Sequence, residues 1–193
     1  MLRFLYLLTR SESLSIRYID MQSNLKIRLL APFEWEKYLA LRRLISEYEP
    51  KTAYYLPQEE ALFDNNRWYG ELLKYQSEDR EFFYVAEIEC ECVGMIGGSF
   101  DGGIKFKHNF FLGPLYVLPQ YRQMKIATEL YNFLIDKIIT NNDLHKIYLT
   151  VFEGNNVAYH WYKKLGFKES GKLHKNMYFE GKFYDKIFME KFV

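Results

Sequence analysis

Apolar and polar residues follow two different periods along this chain, and the places where the period changes mark its elements. In residues 146–152 they alternate one by one. Ile147, Leu149 and Val151 face one way and Tyr148, Thr150 and Phe152 the other, which is the pattern of a β-strand. Residues 33–49 instead carry Leu41, Leu44, Ile45 and Tyr48 on one helical stripe, closed by Pro50. Residues 25–30 precede them as a first strand. After the loop KTAYYLP, residues 57–76 read as a second helix, with Leu62, Tyr69, Leu72, Leu73 and Gln76 near one face. Three strands are then predicted at 81–89, 92–100 and 107–118. They are separated by a tight turn at 89–91 and by the turn signal Asp101-Gly102-Gly103, and such short links imply an antiparallel meander. A helix after Arg122 places Ile126, Leu130, Phe133, Leu134 and Ile138 on one stripe and stops at Asn141-Asn142-Asp143. A short helix from Asn155 turns Ala158, Trp161, Tyr162 and Leu165 inward, with Gly166 fitting the position just past its end. Two strands, 167–173 and 182–191, close the chain around a turn at Glu180-Gly181. No repeat or linker interrupts the order. It predicts one α+β domain over residues 21–193, with residues 1–20 as a poorly constrained leader and Met21 as a possible start.

Composition narrows the function. A length of 193 residues suits one domain, and 49% apolar with 26% charged residues is the balance of a soluble globular protein. A net charge of +1 provides no electrostatic footprint for nucleic acid. No stretch reaches the roughly 18 apolar residues that cross a bilayer. The apolar run at 4–8 is shorter than a secretion signal needs, and no small-residue cleavage site follows it. Cys90 and Cys92, read as two apart on one strand, suit neither a disulfide nor, without a paired His, a metal site. The four His at 108, 145, 160 and 174 show no ligand spacing. A reducing cytoplasm fits these thiols, and neither a metal, a membrane nor a nucleic-acid partner is expected. The 17 Tyr, 16 Phe and 3 Trp supply a core and enough spare rings for a ring-lined pocket.

The segment with the most chemistry is LPQYRQMKIATEL, residues 118–130. A strand ends at Pro119, a polar turn follows, and a helix opens. That order gathers unpaired backbone N–H groups at a positive dipole end, where phosphate or diphosphate binds without special side chains. A strand closing on Val117, then Pro119, Tyr121-Arg122, Ile126, Ala127 and Thr128 form a first motif. Asn155, Ala158, Trp161-Tyr162 and Leu165-Gly166-Phe167 form a second. With the strand 146–152 between them, these motifs resemble those of the GCN5-related N-acetyltransferase (GNAT) superfamily over roughly residues 25–192. The tail, residues 166–191, looks like the final hairpin of the branches that acetylate small amines and N-terminal amines. One departure stands out: Gln123 and Lys125 occupy the two glycine positions of the first motif, and only the third small position is kept, as Ala127.

The resemblance implies a mixed, mostly antiparallel sheet flanked by helices, with two strands splayed at an acyl-CoA site. It implies that Leu115, Tyr116 and Val117 pair through their backbone with the pantetheine arm, as an added strand would. Pro114, lacking an N–H, fits that irregular strand. It implies that Arg122, Gln123, Met124, Lys125, Ile126, Ala127 and Thr128 cradle the diphosphate, with Ala158 and Tyr162 also against the cofactor. Asn155 either bonds the cofactor arm or caps its helix. Tyr162, a phenol protonated at neutral pH, is the expected acid toward the departing thiolate of acetyl-CoA. The general base is left open. His108 is one candidate, with Glu153, Asp101 and a water chain as rivals. The expected reaction is direct attack of a primary amine, small or at a protein N-terminus, in a ternary complex. A non-catalytic acyl-CoA-binding module of the same fold, monomeric or homodimeric like the enzyme, is the alternative that Gln123 and Lys125 suggest. Acceptor specificity is expected in residues 51–57, around Trp68 and Tyr69, and at 175–183, with Tyr54, Tyr55, Trp68 and Tyr178 as a ring-lined pocket.

Overall fold

A computed structural model of the chain describes residues 24–140 and 143–193. The expected leader at 1–20, the possible start at Met21, and Asn141 and Asn142 lie outside them. Among the described residues seven strands form one sheet in the order β1-β2-β3-β4-β5-β7-β6. These are β1 Lys26–Arg28, β2 Glu81–Ile88, β3 Glu91–Phe100, β4 Asn109–Val117, β5 Lys146–Phe152, β6 Lys168–Phe179 and β7 Lys182–Phe192. The meander β1 to β4 is antiparallel, β4 and β5 are parallel, and β5, β7 and β6 are antiparallel again.

Two hairpins are closed by residue pairs with left-handed backbones. Glu89 and Cys90 (φ 49° and 69°) join β2 to β3, and Glu180 and Gly181 (φ 48° and 77°) join β6 to β7. Two-residue turns of this hand match the twist of the strands they connect. The first turn corrects the placement of the cysteines. Cys90 is exposed in the turn, and only Cys92 lies on β3, where burial pushes its thiol up to about 11.

The helices are α1 Trp35–Tyr48, α2 Pro57–Glu60, α3 Asn65–Lys74, α4 Ile126–Ile138 and α5 Asn156–Lys164. The single helix expected at 57–76 is therefore two pieces. Asp64 ends the first by capping the second: its side chain accepts the N–H of Asn66 at 2.9 Å. Leu62 falls in the break and is 84% exposed, while Trp68 and Leu72 of α3 are buried.

Alternation along the strands makes two cores. Phe82, Tyr84, Phe110, Leu112, Val117, Ile147, Leu149 and Val151 face α4 and α5 and pack with Leu130, Leu134, Tyr162 and Phe167. Phe83, Val85, Met95, Tyr116 and Leu118 face α1 and α3 and pack with Tyr38, Leu41, Trp68 and Leu72. Tyr148, Thr150 and Phe152 share this second face and are half-buried.

Candidate active site

β4 and β5 pair through three positions only: Asn109↔Lys146, Phe110↔Ile147 and Phe111↔Tyr148. Beyond Phe111 the two strands part. The cause lies on the β3 side of β4. The register passes from Gly98↔Leu112 to Ile96↔Leu115, so Gly113 and Pro114 together oppose Gly97. Such a bulge bends its strand. The bend also needs Gly98, where an added Cβ would lie 2.5 Å from the carbonyl oxygen of Phe111.

The parting leaves backbone groups unspent. Leu118 N–H donates to the Val93 carbonyl on β3 at 2.9 Å. Groups alternate in direction along an antiparallel strand, so Leu115 and Val117 point theirs the other way, into the gap. The Val117 carbonyl accepts from Arg122 Nε at 3.0 Å. The N–H groups of Leu115 and Val117 have no acceptor among the described residues.

At the open end of β4 the chain makes a single 3₁₀ turn, Pro119–Tyr121, and reaches α4 through a short loop. Gln123 and Lys125 each have φ 64°, and Lys125 is the left-handed residue immediately before the helix. Both residues at the glycine positions thus adopt a conformation that glycine favours. Successive N–H groups turned inward by such residues form an anion-binding concavity. Those of Met124, Lys125, Ile126 and Ala127 have no acceptor among the described residues, whereas Thr128 N–H already bonds to the Lys125 carbonyl at 2.9 Å. The Arg122 guanidinium is committed to the protein. It bonds Val117, pairs with Glu49 at the end of α1, and lies 5.3 Å from the centre of the Tyr116 ring.

α5 presents Tyr162 to the side chains that flank the gap. Asn155 begins this helix, and its side-chain oxygen accepts the N–H of Ala158 at 3.2 Å. Tyr162 is 7% exposed and shares a cluster with Val117, Leu149 and Val151. Its ring packs against Trp161 and Phe167, with centroids at 5.0 and 5.6 Å. Burial pushes its phenol well above the usual range, and Tyr131 adds to the shift. Tyr131 of α4 packs on Trp161, and its own buried hydroxyl has no hydrogen-bond partner among the described residues, as is also true of Tyr116 on β4.

These features fit the coenzyme that the motifs imply. Unspent strand-edge donors suit an amide-bearing arm, the N–H concavity suits a diphosphate, and two orphaned hydroxyls lie on the elements bounding the gap.

The remaining expected residues are scattered. His108 precedes β4, on the far side of the paired segment from the gap, with its ring against His145. Glu153 follows β5 and is bonded to β7 through the Asp185 backbone. Asp101 accepts the Tyr148 hydroxyl at 2.7 Å. Of the four expected rings, three join in a chain of edge contacts: Tyr54 lies 4.7 Å from Tyr55, Tyr55 4.9 Å from Phe63, and Phe63 5.8 Å from Trp68. Trp68 is 1% exposed inside the α1–α3 core, and Tyr178 stands exposed on β6 against Phe183 instead. Sequence reasoning also missed Glu49. Its signal was a carboxylate at the negative end of a helix, a place that favours cations.

A family model described as "Acetyltransferase (GNAT) family" matches residues 39–167. The spermidine N(1)-acetyltransferase of Escherichia coli is 26% identical over 160 residues, covering 83% of each chain. An N-alpha-acetyltransferase of Sulfurisphaera tokodaii is 30% identical over 131 residues, 63% of this chain and 75% of that protein. Among solved structures, a GNAT-family acetyltransferase from Streptococcus pneumoniae superposes with a TM-score of 0.76 at 23% identity, over 88% of this chain and 99% of that one. The yncA protein of Salmonella typhimurium, a putative acetyltransferase solved with acetyl-CoA, superposes with a TM-score of 0.72 at 14% identity, over 88% and 94%.

Proposed function

Because the chain belongs to the acetyltransferase (GNAT) family and is an acetyltransferase that uses acetyl-CoA, we propose that it acetylates a primary amine, small or at a protein N-terminus, by direct attack in a ternary complex. One observation carries the reading. The unspent N–H groups of Leu115 and Val117 lie along the β4–β5 gap, and the buried Tyr162 belongs to the core cluster that includes Val117, Leu149 and Val151 beside it. The named activities of the two relatives, on spermidine and on an α-amine, fit the acceptor class.

When bound, acetyl-CoA supplies the acetyl group as an activated thioester. Met124 to Ala127 offer main-chain N–H groups to the diphosphate, and Lys125 adds a positive charge beside them. Leu115 and Val117 hold the arm along β4, and their N–H groups polarise the carbonyl oxygen toward which negative charge moves. Tyr162 keeps its proton at neutral pH because burial opposes the phenolate, and it would deliver that proton to the sulfur as the bond to the acetyl carbon breaks, while the attacking nitrogen gives up its own proton to solvent. Asn155 acts on Tyr162 indirectly, by fixing the first turn of α5. No covalent acyl-enzyme is required. Cys92 is buried in the α1–α3 core, and Cys90 sits in the β2–β3 turn.

The test is Tyr162→Phe. The ring still fills its place, and the hydroxyl it loses has no partner among the described residues. The thermal midpoint is expected to hold, kcat to fall about 100-fold, and KM for acetyl-CoA to change by less than about twofold. An unchanged kcat removes Tyr162 from the acid role.

A further inference from the structure

On the face that α1 and α3 share, the floor beside the gap is made by Phe111 and Tyr148, the last paired residues before β4 and β5 separate. Their rings lie 5.3 Å apart with planes at 55°. The Tyr148 hydroxyl donates to Asp101 Oδ1 at 2.7 Å. Asp101 follows β3 and is held by its backbone: its N–H donates to the Asn109 carbonyl at 3.0 Å, and its carbonyl accepts from the Arg80 guanidinium. The carboxylate itself is half-buried and has no cation partner among the described residues, and its second oxygen accepts no hydrogen bond. Lys146 lies 5.7 Å from the Tyr148 ring centre, but its ion pair is with Glu190 at 3.8 Å. A fixed carboxylate with one free oxygen, beside two aromatic faces, is a site for an ammonium group.

We infer that Asp101, positioned by Tyr148, binds a second cationic group of the acceptor, so that the substrate is a diamine or polyamine rather than a singly charged amine. This rests on the acetyl transfer to a primary amine proposed above. Distance supports it. Asp101 stands beside Asn109, and six strand positions separate Asn109 from Leu115, one of them taken up by the bulge, which leaves about 16 Å between the carboxylate end of the floor and the backbone donors of the gap. A chain of polyamine length, extended along the floor, spans most of that distance with an amine near each end.

The experiment compares wild type with Asp101→Asn on spermidine, 1,4-diaminobutane, 1-aminohexane and a peptide with a free N-terminus, following thiol release. Asn retains an oxygen for Tyr148, so the fold is kept, and the thermal midpoint verifies that. Wild type is expected to favour spermidine. The substitution is expected to lower the spermidine to aminohexane ratio of kcat/KM about tenfold, through KM of the polyamine rather than kcat. Tyr148→Phe, which frees the carboxylate to swing, is expected to move the same ratio in the same direction by less. If wild type works on the peptide or aminohexane alone, or if Asp101→Asn leaves the ratio unchanged, the inference is overturned while the proposed acetyl transfer stands. If wild type releases no thiol with any amine, both fall.

Discussion

A left-handed backbone at a residue that carries a β-carbon costs about 1 kcal/mol, and the loop before α4 has two such residues, Gln123 and Lys125. Their side chains break the glycine pattern of the first motif, yet both hold φ 64°, so the conformation that aims the N–H groups is preserved. Replacing Lys125 by Gly relieves the strain and gives back part of the gain as freedom of the unfolded chain. The expected result is a net stabilisation of about 0.5 kcal/mol, a rise of about 1–2 °C in the thermal midpoint, with acetyl-CoA still bound. A fall in midpoint would mean that the lysine makes contacts worth more than its strain. At this scale the sequence was informative about identity and poor on partners. Val117, Tyr162 and Asn155 could be named from the two motifs. That Arg122 would be spent on Glu49 and Val117, leaving only main-chain groups for the proposed diphosphate, depends on a residue 73 positions away and on no local pattern.

At the scale of elements, β1 has three residues, and beside its pairing with β2 and the packing of Ile27 a set of ion pairs ties it to its neighbours. Arg28 of β1 bonds Glu87 of β2 at 2.7 Å and Glu34, just before α1, at 2.8 Å, while Lys37 of α1 reaches Glu87 at 3.0 Å. Hydrogen bonds from Arg28 hold both carboxyls at about 2, well below their ordinary 4.5. The folded state thus binds these protons less readily than the unfolded chain. The stability they contribute is complete above pH 4.5 and is lost as pH falls toward 2. Urea unfolding is expected to give a midpoint that drops steeply between pH 5 and pH 2.5, and Glu87→Gln is expected to lower the midpoint at pH 5 and flatten the slope. An equal slope in the variant would place the acid sensitivity elsewhere. Periodicity announced the elements but misjudged one. The leucine stripe across 57–76 hid the break at Asp64, whose capping oxygen decides where α3 begins. The signal was present in the run Asp64-Asn65-Asn66, and a side-chain cap outweighed a stripe whose Leu62 never reached the core.

The single sheet of the described residues has two antiparallel halves, β1 to β4 and β5 to β7, joined along three registers of parallel pairing. Alternation in a strand tells which face a side chain takes but not which strand lies beside it. That β4 and β5 are neighbours, and that they part, was therefore legible only through the resemblance and through Pro114, a residue ill-suited to a regular central strand. The side chains below the seam do form one core, since α4 and α5 pack with residues of β2, β3, β4 and β5 together. What the seam lacks is backbone pairing beyond Phe111, and a coenzyme arm bound as proposed would supply it from the Leu115 and Val117 side. Amide hydrogen exchange reads this directly. Adding CoA is expected to slow the amides of Leu115 and Val117 and those from Met124 to Ala127. The amide of Leu118 already bonds Val93 and should change little, and β6, two strands beyond β5 at the sheet edge, should serve as an unaltered reference. Protection that appeared along β6 and spared Leu115 would put the ligand outside the gap, and with it would go the acid role of Tyr162 and the acceptor geometry at Asp101, because both are measured from that seam.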